Sequence, residues 1–284
     1  MRSDFCAMIM SHKRPDTIFT LKTLLGCGYT GKWFILVDDE DPTRDEYLKK
    51  YGDHVKIFSL SGAAAKLDQY DKRKPGGAIV YARNACFDVA IENGIKYFVE
   101  LDDDYDYFAV LKNENGVLSH LRLRNIDKAF NAMIDFLETD KRISSVAFSQ
   151  GGDLIGGVQN PHFKKRLLRK CMNSFFCSTE KRFPFSGRIN EDVNTYSAFQ
   201  SRGNVFFTVV DLFLNQKQTQ KNSGGMTELY LDSGTYVKSF YSIIACPSAV
   251  KISVMGYTHE RIHHRVNFVN CAPKILSERF RKHA

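Results

Sequence analysis

The stretch Lys96–Phe108, KYFVELDDDYDYF, constrains the fold and the chemistry of this chain more than any other. An apolar run, Tyr97–Val99, leads into Glu100 and then into three consecutive aspartates, Asp102–Asp104. Apolar residues that lead into carboxylates are typical of a buried strand that ends at the edge of a sheet. Because crowded carboxylates repel one another and are costly to bury unpaired, a divalent cation is the simplest way to hold them together.

The three aspartates predict a DxD metal site that receives a nucleoside diphosphate. Mg²⁺ and Mn²⁺ suit hard oxygen ligands, usually one or two carboxylates together with substrate phosphates. We predict Asp104 as the first metal ligand and Asp102 as the next. A solvated acidic turn is the alternative interpretation. A calcium loop fits less well, because Tyr107 stands where the sharp turn needs glycine and Asn113 replaces the closing glutamate.

Strand and helix patterns alternate along the first hundred residues. The patterns predict strands at 5–10, 32–37, 55–60 and 96–101, with helices at about 16–25, 43–51 and 78–93. Further along they predict helices at 125–139 and 190–200 and strands at 145–148, 172–177, 205–212 and 241–245. This alternation indicates an α/β fold with a mostly parallel sheet and helices on both faces. Ligands bind beyond the carboxyl ends of such strands, so Asp38 and Asp39 should face the same crevice as Asp102–Asp104.

Composition and charge narrow the class of partner. The 284 residues can bury a large core, no apolar run approaches a membrane span, and we therefore expect no membrane association. Seven scattered cysteines without a CxxC pair predict reduced core residues in a cytoplasmic protein. Residues 1–120 hold 16 Lys and Arg against 19 Asp and Glu, whereas residues 121–284 hold 24 against 13. The basic second part predicts an anionic partner, of which nucleic acid is the commonest.

Two basic segments are candidates for contact with such a polyanion. One is the cluster KKRLLRK with Lys164, Lys165, Arg166, Arg169 and Lys170, and the other is the loop 215–227 with Lys217 and Lys221. A solvated edge is the alternative interpretation of any such charge run.

Five short motifs, in order, resemble those of the GT-A fold glycosyltransferases. They are Ser11–Pro15, Asp38-Asp39, Ala82-Arg83-Asn84, Asp102-Asp103-Asp104 and Asn190-Glu191-Asp192. Within that fold, the stretches FVELDDDYDYF, RINEDVN and HHRVN…APKI look most like the TET-associated glycosyltransferases of phages and their relatives. Those enzymes are linked to sugar transfer onto 5-hydroxymethyl pyrimidines in DNA.

The resemblance implies a metal-dependent, hexosyltransferase-type enzyme that takes its sugar from a UDP-sugar with Mn²⁺ or Mg²⁺. It implies a GT-A-like, Rossmann-type sheet with an acceptor-side extension, in which residues 1–120 bind the donor and residues 121–284 the acceptor within one continuous domain. The acceptor would be double-stranded DNA carrying hydroxymethylated bases, in the cytoplasm of a host cell if the protein is phage-encoded. The residues expected to bind the nucleotide-sugar are Ser11, His12, Arg14, Asp38, Asp39, Arg83, Asp102 and Asp103. Arg83 has the alternative of pairing within the fold.

The resemblance also suggests the catalytic base and a third metal ligand. Asp192 is the expected base of an inverting reaction, with Glu191 as its alternative; a helix-terminal acid that only answers the helix dipole is the competing interpretation. His263, with His264 as its alternative, should complete the metal site, since imidazole is a common ligand and only one of two adjacent residues can face the crevice.

Three other functions stay open at the level of sequence. A GT-A enzyme that acts on a glycan, a glycolipid or a protein would share the donor-side motifs. A nucleotidyltransferase also uses an acidic pair at a strand end, but the first strand lacks a Gly-rich phosphate loop. A non-catalytic nucleic-acid-binding module would have less need of intact acidic motifs.

Overall fold

The structure, a computed structural model, describes residues 1–217, 235–256, 260–273 and 278. Its described helices lie against a ten-stranded sheet and a separate two-stranded ribbon. The strands are β1 (Phe5–Met10), β2 (Lys32–Asp38), β3 (Val55–Phe58), β4 (Tyr97–Asp102), β5 (Tyr105–Glu114), β6 (Val117–Arg122), β7 (Ile143–Ser149), β8 (Leu167–Leu168), β9 (Ser174–Ser178), β10 (Val205–Gln216), β11 (Val250–Met255) and β12 (Arg261–Val266). The helices are α1 (Phe19–Gly26), α2 (Arg44–Tyr51), α3 (Leu60–Ala65), α4 (Ile79–Glu92), α5 (Ile126–Glu138), α6 (Pro161–Lys165), α7 (Glu191–Gln200) and α8 (Lys238–Ala245).

The large sheet has the strand order β3-β2-β1-β4-β9-β7-β10-β5-β6, with β8 paired to β10. Strands β3, β2, β1 and β4 are parallel neighbours, as are β7 and β10. Following the pairings across the described sheet, seven strands run in one direction and β5, β8 and β9 in the other. The predicted α/β class with a mostly parallel sheet is confirmed. Its large size comes from strands on both sides of residue 120.

Strand β1 shows why the first apolar run is continuous rather than alternating. All six of its residues are buried, because the strand lies between β2 and β4 and has cover on both faces. Phe5, Ala7 and Ile9 point into one core, and Cys6, Met8 and Met10 into the other. Two separate hydrophobic layers therefore hold the sheet.

The parallel strands bring the acidic motifs to one edge. Met10, at the end of β1, is paired with Asp102 at the end of β4, and β2 ends at Asp38 beside them. The apolar positions of α4 and α5 cover the two faces behind this edge. The carboxyl ends of β1, β2 and β4 thus form one crevice.

Several segments differ from the sequence prediction. The strand expected at 241–245 is wrong, because this segment belongs to helix α8, which packs against α7 and β12. A short apolar run of this kind is compatible with a helix or with a strand. The helix buries Ser239, Tyr241 and Ser242, while Phe240 and Ile244 stay exposed. The hairpin β5–β6 was not predicted, and it continues the sheet beyond the aspartates.

Ribbon β11–β12 is antiparallel and packs against α8. All seven cysteines are free and buried, as expected for reduced core residues. None of the described helices is both long and apolar enough to cross a membrane.

Candidate active site

A cleft of about 430 Å³ lies beyond the carboxyl ends of β1, β2 and β4, and the amino end of α7 closes its far side. Most of the donor, metal and catalytic residues expected from sequence line it. They are Ser11, His12, Arg14, Asp38, Arg83, Asp102, Asp103, Asp104, Glu191 and Asp192. Ser11 and Asp192, 181 positions apart in the chain, thus meet at one site.

Asp102 and Asp104 lie on the two sides of one side-chain amide. Gln216, at the end of β10, places its Nε2 atom 3.0 Å from Oδ1 of Asp104 and 3.4 Å from Oδ2 of Asp102. Burial raises the pKa of Asp104 to about 6, and repulsion from Asp103 adds to it. Burial also raises the pKa of Asp102, to which the charge of Asp104 contributes. Two oxygen ligands that repel each other in a buried setting form a donor set that suits Mg²⁺ or Mn²⁺.

Asp103 faces the loop after β1 instead. Its Oδ2 atom accepts a hydrogen bond from the Ser11 hydroxyl at 2.6 Å, and its Oδ1 atom accepts one from Nη1 of Arg14 at 3.0 Å. Burial is the largest cause that raises the pKa of Asp103. The middle aspartate therefore fixes the first loop of the cleft, while its two neighbours stay near Gln216.

His12 is held by two buried carboxylates. Its Nδ1 atom lies 2.8 Å from Oδ2 of Asp38 and 3.4 Å from Oδ2 of Asp41. Ligand atoms of these three side chains lie within 4.8 Å of one another, so the group is a second place that could hold a metal ion. Asp39 is exposed and accepts a hydrogen bond from the backbone of Leu60 at 2.8 Å, which places its side chain at the start of α3.

Arg83 is fully buried and bonds three carboxylates. Its Nε atom donates to Glu191 at 3.0 Å, Nη1 to Glu100 at 3.2 Å and Nη2 to Asp102 at 3.2 Å. Burial raises the pKa of Glu100 to about 8. The structure thus shows the pairing that was the alternative for Arg83; contact with a diphosphate stays a prediction.

Asp192 is the carboxylate of α7 that faces the cleft without a side-chain partner among the described residues. Burial raises its pKa to about 7, and the charge of Glu191 adds to this. Such a value suits a group that takes up a proton near neutral pH. Asn190 precedes the helix in a left-handed conformation with φ of 54°. Its amide donates to the Lys238 carbonyl at 2.7 Å and thereby ties α7 to α8.

The two late histidines lie behind this helix start. Nδ1 of His264 is 3.2 Å from Nδ2 of Asn190, and the rings of His263 and His264 are 4.3 Å apart. Burial lowers the pKa of His264 to about 4, so its imidazole is neutral, as a metal ligand must be. Neither histidine is among the residues that line the cleft, and their role as metal ligands stays a prediction.

The expected DNA-binding residues fall into two groups. Lys164, Lys165 and Arg166 are exposed and Arg169 is half-buried, but Arg166 is paired with Asp211 and Lys170 with buried Asp153.

Lys217 lies apart from that cluster. Its backbone nitrogen donates to the Asp104 carbonyl at 3.1 Å, and its ammonium group lies 3.2 Å from the centre of the Phe19 ring. Lys221 lies outside the residues that the structure describes.

The cleft residues that sequence reasoning missed include Gln216, Arg188 and Lys238. Arg188 bonds Asp71 through Nε at 2.9 Å and so holds the loop that precedes α4 in place. Arg188 lies only two residues before Asn190, which was a usable signal. Gln216 and Lys238 stand in ordinary polar contexts, and the pairing of β10 with β5 and the contact of α8 with α7 bring them to the site.

The sequence pattern of one protein family, TET-associated glycosyltransferase, matches residues 5–225. That match covers more than half of the chain and includes both the triple aspartate and the start of α7. The chain belongs to the TET-associated glycosyltransferase family. The resemblance noted from the motifs is thereby confirmed, and at least one residue of each of the five short motifs lines the cleft in this member of the family.

Solved structures of two other enzymes are similar to this TET-associated glycosyltransferase at low identity. One is glucosyl-3-phosphoglycerate synthase from Mycobacterium tuberculosis, in complex with Mn²⁺, UDP and phosphoglyceric acid, with 14% identity over 93% of this chain and 87% of that one, at a TM-score of 0.48. The other is GalNAc-T7 with UDP, GalNAc and Mn²⁺, with 11% identity over 75% of this chain and 43% of that one, at a TM-score of 0.41. No curated protein matches the chain.

Proposed function

We propose that this protein transfers a sugar from a UDP-sugar to the hydroxyl group of a 5-hydroxymethyl pyrimidine in DNA, with a divalent metal ion. The observation that carries the proposal is the cleft in which Asp102, Asp104 and Asp192 meet. Sugar transfer needs a neutralised leaving diphosphate and a base for the acceptor, and this cleft offers side chains for both.

The metal would be held by Asp102 and Asp104, with His263 or His264 as the proposed further ligand. When bound, Mn²⁺ or Mg²⁺ neutralises charge on the diphosphate that leaves. On the donor side, Ser11, His12 and Arg14 lie in the loop after β1, and Asp38 ends β2 next to them. These groups are the proposed contacts of the nucleotide, together with Asp39, Asp103 and Arg83.

Asp192 is the proposed general base, because it is a cleft carboxylate whose pKa is raised to about 7. Glu191 fits the role less well, since Arg83 already holds its carboxylate. Direct attack by the deprotonated acceptor on the anomeric carbon would invert its configuration, which makes the proposed reaction an inverting one.

The identity of the acceptor is the most specific part of the proposal. The family description names an association with TET proteins, and 24 Lys and Arg against 13 Asp and Glu in residues 121–284 give the acceptor part a positive charge. We assign residues 1–120 to the donor and residues 121–284 to the acceptor within one domain. Lys164, Lys165, Arg166, Arg169, Lys170, Lys217 and Lys221 are the proposed DNA contacts. Because the proposed acceptor is DNA, the cytoplasm is the proposed location of the protein.

The test is an incubation of the protein with a UDP-sugar, Mn²⁺ and duplex DNA, with plain and hydroxymethylated duplexes as matched acceptors. We expect UDP release and a hexose-sized mass gain on the nucleosides of the hydroxymethylated duplex alone. UDP release with a glycan or protein acceptor and none with DNA would overturn the assignment of DNA as the acceptor. No UDP release and no UDP binding would overturn the enzyme and favour a binding module.

A further inference from the structure

One face of ribbon β11–β12 carries a row of cationic side chains. Directly opposed residues of an antiparallel pair share a face, and so do alternate residues along each strand. The pairs Lys251–Arg265, Ser253–His263 and Met255–Arg261 are therefore on the same side of the ribbon. We call these six residues the ribbon face. It holds three permanent cations and one histidine, and it holds no acid.

The cations of the ribbon face stand without the partners that a folded protein usually supplies. Lys251, Arg261 and Arg265 are exposed and make no ion pair within the described residues. Lys251 and Arg265 lie directly opposite each other, an arrangement that destabilises a strand pair through like-charge repulsion. Glu260, just before β12, is the nearest acid in the sequence. A charge arrangement that opposes folding is relieved when an anion binds over it.

This distinguishes the ribbon face from the basic cluster at 164–170. In that cluster Arg166 is paired with Asp211 and Lys170 with Asp153, so part of its charge is already neutralised inside the protein. The ribbon face offers its full charge to a partner.

The same ribbon is joined to helix α7. The ring of His264 lies 4.3 Å from the ring of His263, and the Nδ1 atom of His264 is 3.2 Å from the amide of Asn190, the residue before Glu191 and Asp192. Helix α8, which packs on β12, contributes Lys238 to the lining of the cleft. A polyanion on the ribbon face would therefore lie beside the proposed base rather than at a remote surface.

We propose that the ribbon face is a docking surface for the phosphate backbone of double-stranded DNA, next to the hydroxymethylated nucleobase that receives the sugar. This rests on the proposed DNA acceptor and adds a surface to it. A two-stranded ribbon is one of the elements that fit the major groove of B-DNA. Arg261 and Arg265 are four residues apart, about 14 Å along the strand, a distance that matches about four base-pair steps along the axis of the DNA.

The experiment measures binding of a plain duplex to the full chain at several salt concentrations, without a donor. The test variant is Lys251→Gln with Arg265→Gln, and each single change is measured as well. The matched control is Lys128→Gln with Lys141→Gln, which removes the same charge at two exposed positions of the α5 region. Circular dichroism and UDP binding in the presence of Mn²⁺ verify that each variant is folded.

Each lost phosphate contact should reduce the slope of log affinity against log salt by about 1, so the ribbon variant should lose about 2 and the control none. Equal slopes for the wild type and the ribbon variant would overturn the ribbon face and leave the DNA acceptor intact. No DNA binding by the wild type would overturn both. If the control lost DNA binding as the ribbon variant does, the ribbon face would be overturned as a docking surface, and the net charge of the protein would explain the binding.

Discussion

Arg83 on α4 donates a hydrogen bond from Nε to Glu191 at the start of α7, at 3.0 Å. The same guanidinium donates from Nη2 to Asp102 at the end of β4. The buried guanidinium of Arg83 therefore links β4, which ends at Asp102, to α7, which carries Asp192. The position of the proposed base relative to the aspartates depends on this side chain.

We expect Arg83→Met to destabilise the fold strongly. The change leaves Glu100, Asp102 and Glu191 buried without their cation, and breaking a buried pair typically costs about 3–5 kcal/mol. The measurement is the free energy of unfolding from denaturant titration. The control is Arg182→Met, which removes an exposed pair with Asp88 and should cost less than about 1 kcal/mol. Equal losses in the two variants would contradict the role of Arg83.

We expect Asp104→Ala to abolish metal-dependent nucleotide binding. The change removes one of the two carboxylates next to Gln216, and the affinity for UDP in the presence of Mn²⁺ should fall by more than about 100-fold. Calorimetry with and without Mn²⁺ measures this. Asp106→Ala is the matched control, because Asp106 is exposed two residues along and should bind as the wild type does. Unchanged binding by Asp104→Ala would remove it from the metal site.

We expect Asp192→Asn to leave donor binding intact and to lower kcat by roughly 10²–10⁴, the usual contribution of a positioned base. Steady-state kinetics and UDP calorimetry on the same preparation separate the two effects. Glu191→Gln is the comparison: it weakens the bond to Arg83 and should lower stability more than it lowers kcat of the folded protein. Near-normal turnover by Asp192→Asn would reduce Asp192 to a helix-terminal acid.

The pH dependence of kcat should report Asp192. Burial raises the pKa of its carboxyl group to about 7, and a base acts only when deprotonated. Turnover should therefore fall tenfold per pH unit well below pH 7 and level off above it. The profile is measured with saturating donor and metal. Asp192→Asn should lack this limb, and a limb that persists in that variant would assign it to another group.

The first hundred residues show which features of the fold could be predicted from the sequence. The runs Phe5–Met10 and Tyr97–Asp102 are strands as predicted, because a strand covered on both faces must be apolar throughout. The shared edge of parallel strands then fixed that Asp38 and the triple aspartate would meet. These features are local in sequence or follow from a general rule of sheet topology.

The tertiary structure alone decided which partners each aspartate contacts. Asp103 faces Ser11 and Arg14, while Asp102 and Asp104 face Gln216, which comes from a strand more than 100 residues away. Arg83 is buried because three carboxylates from separate elements converge on it. The segment at 241–245 became a helix through its packing against α7 and β12. Contacts between distant residues determine these outcomes, because a short segment has the same composition whichever partner it later meets.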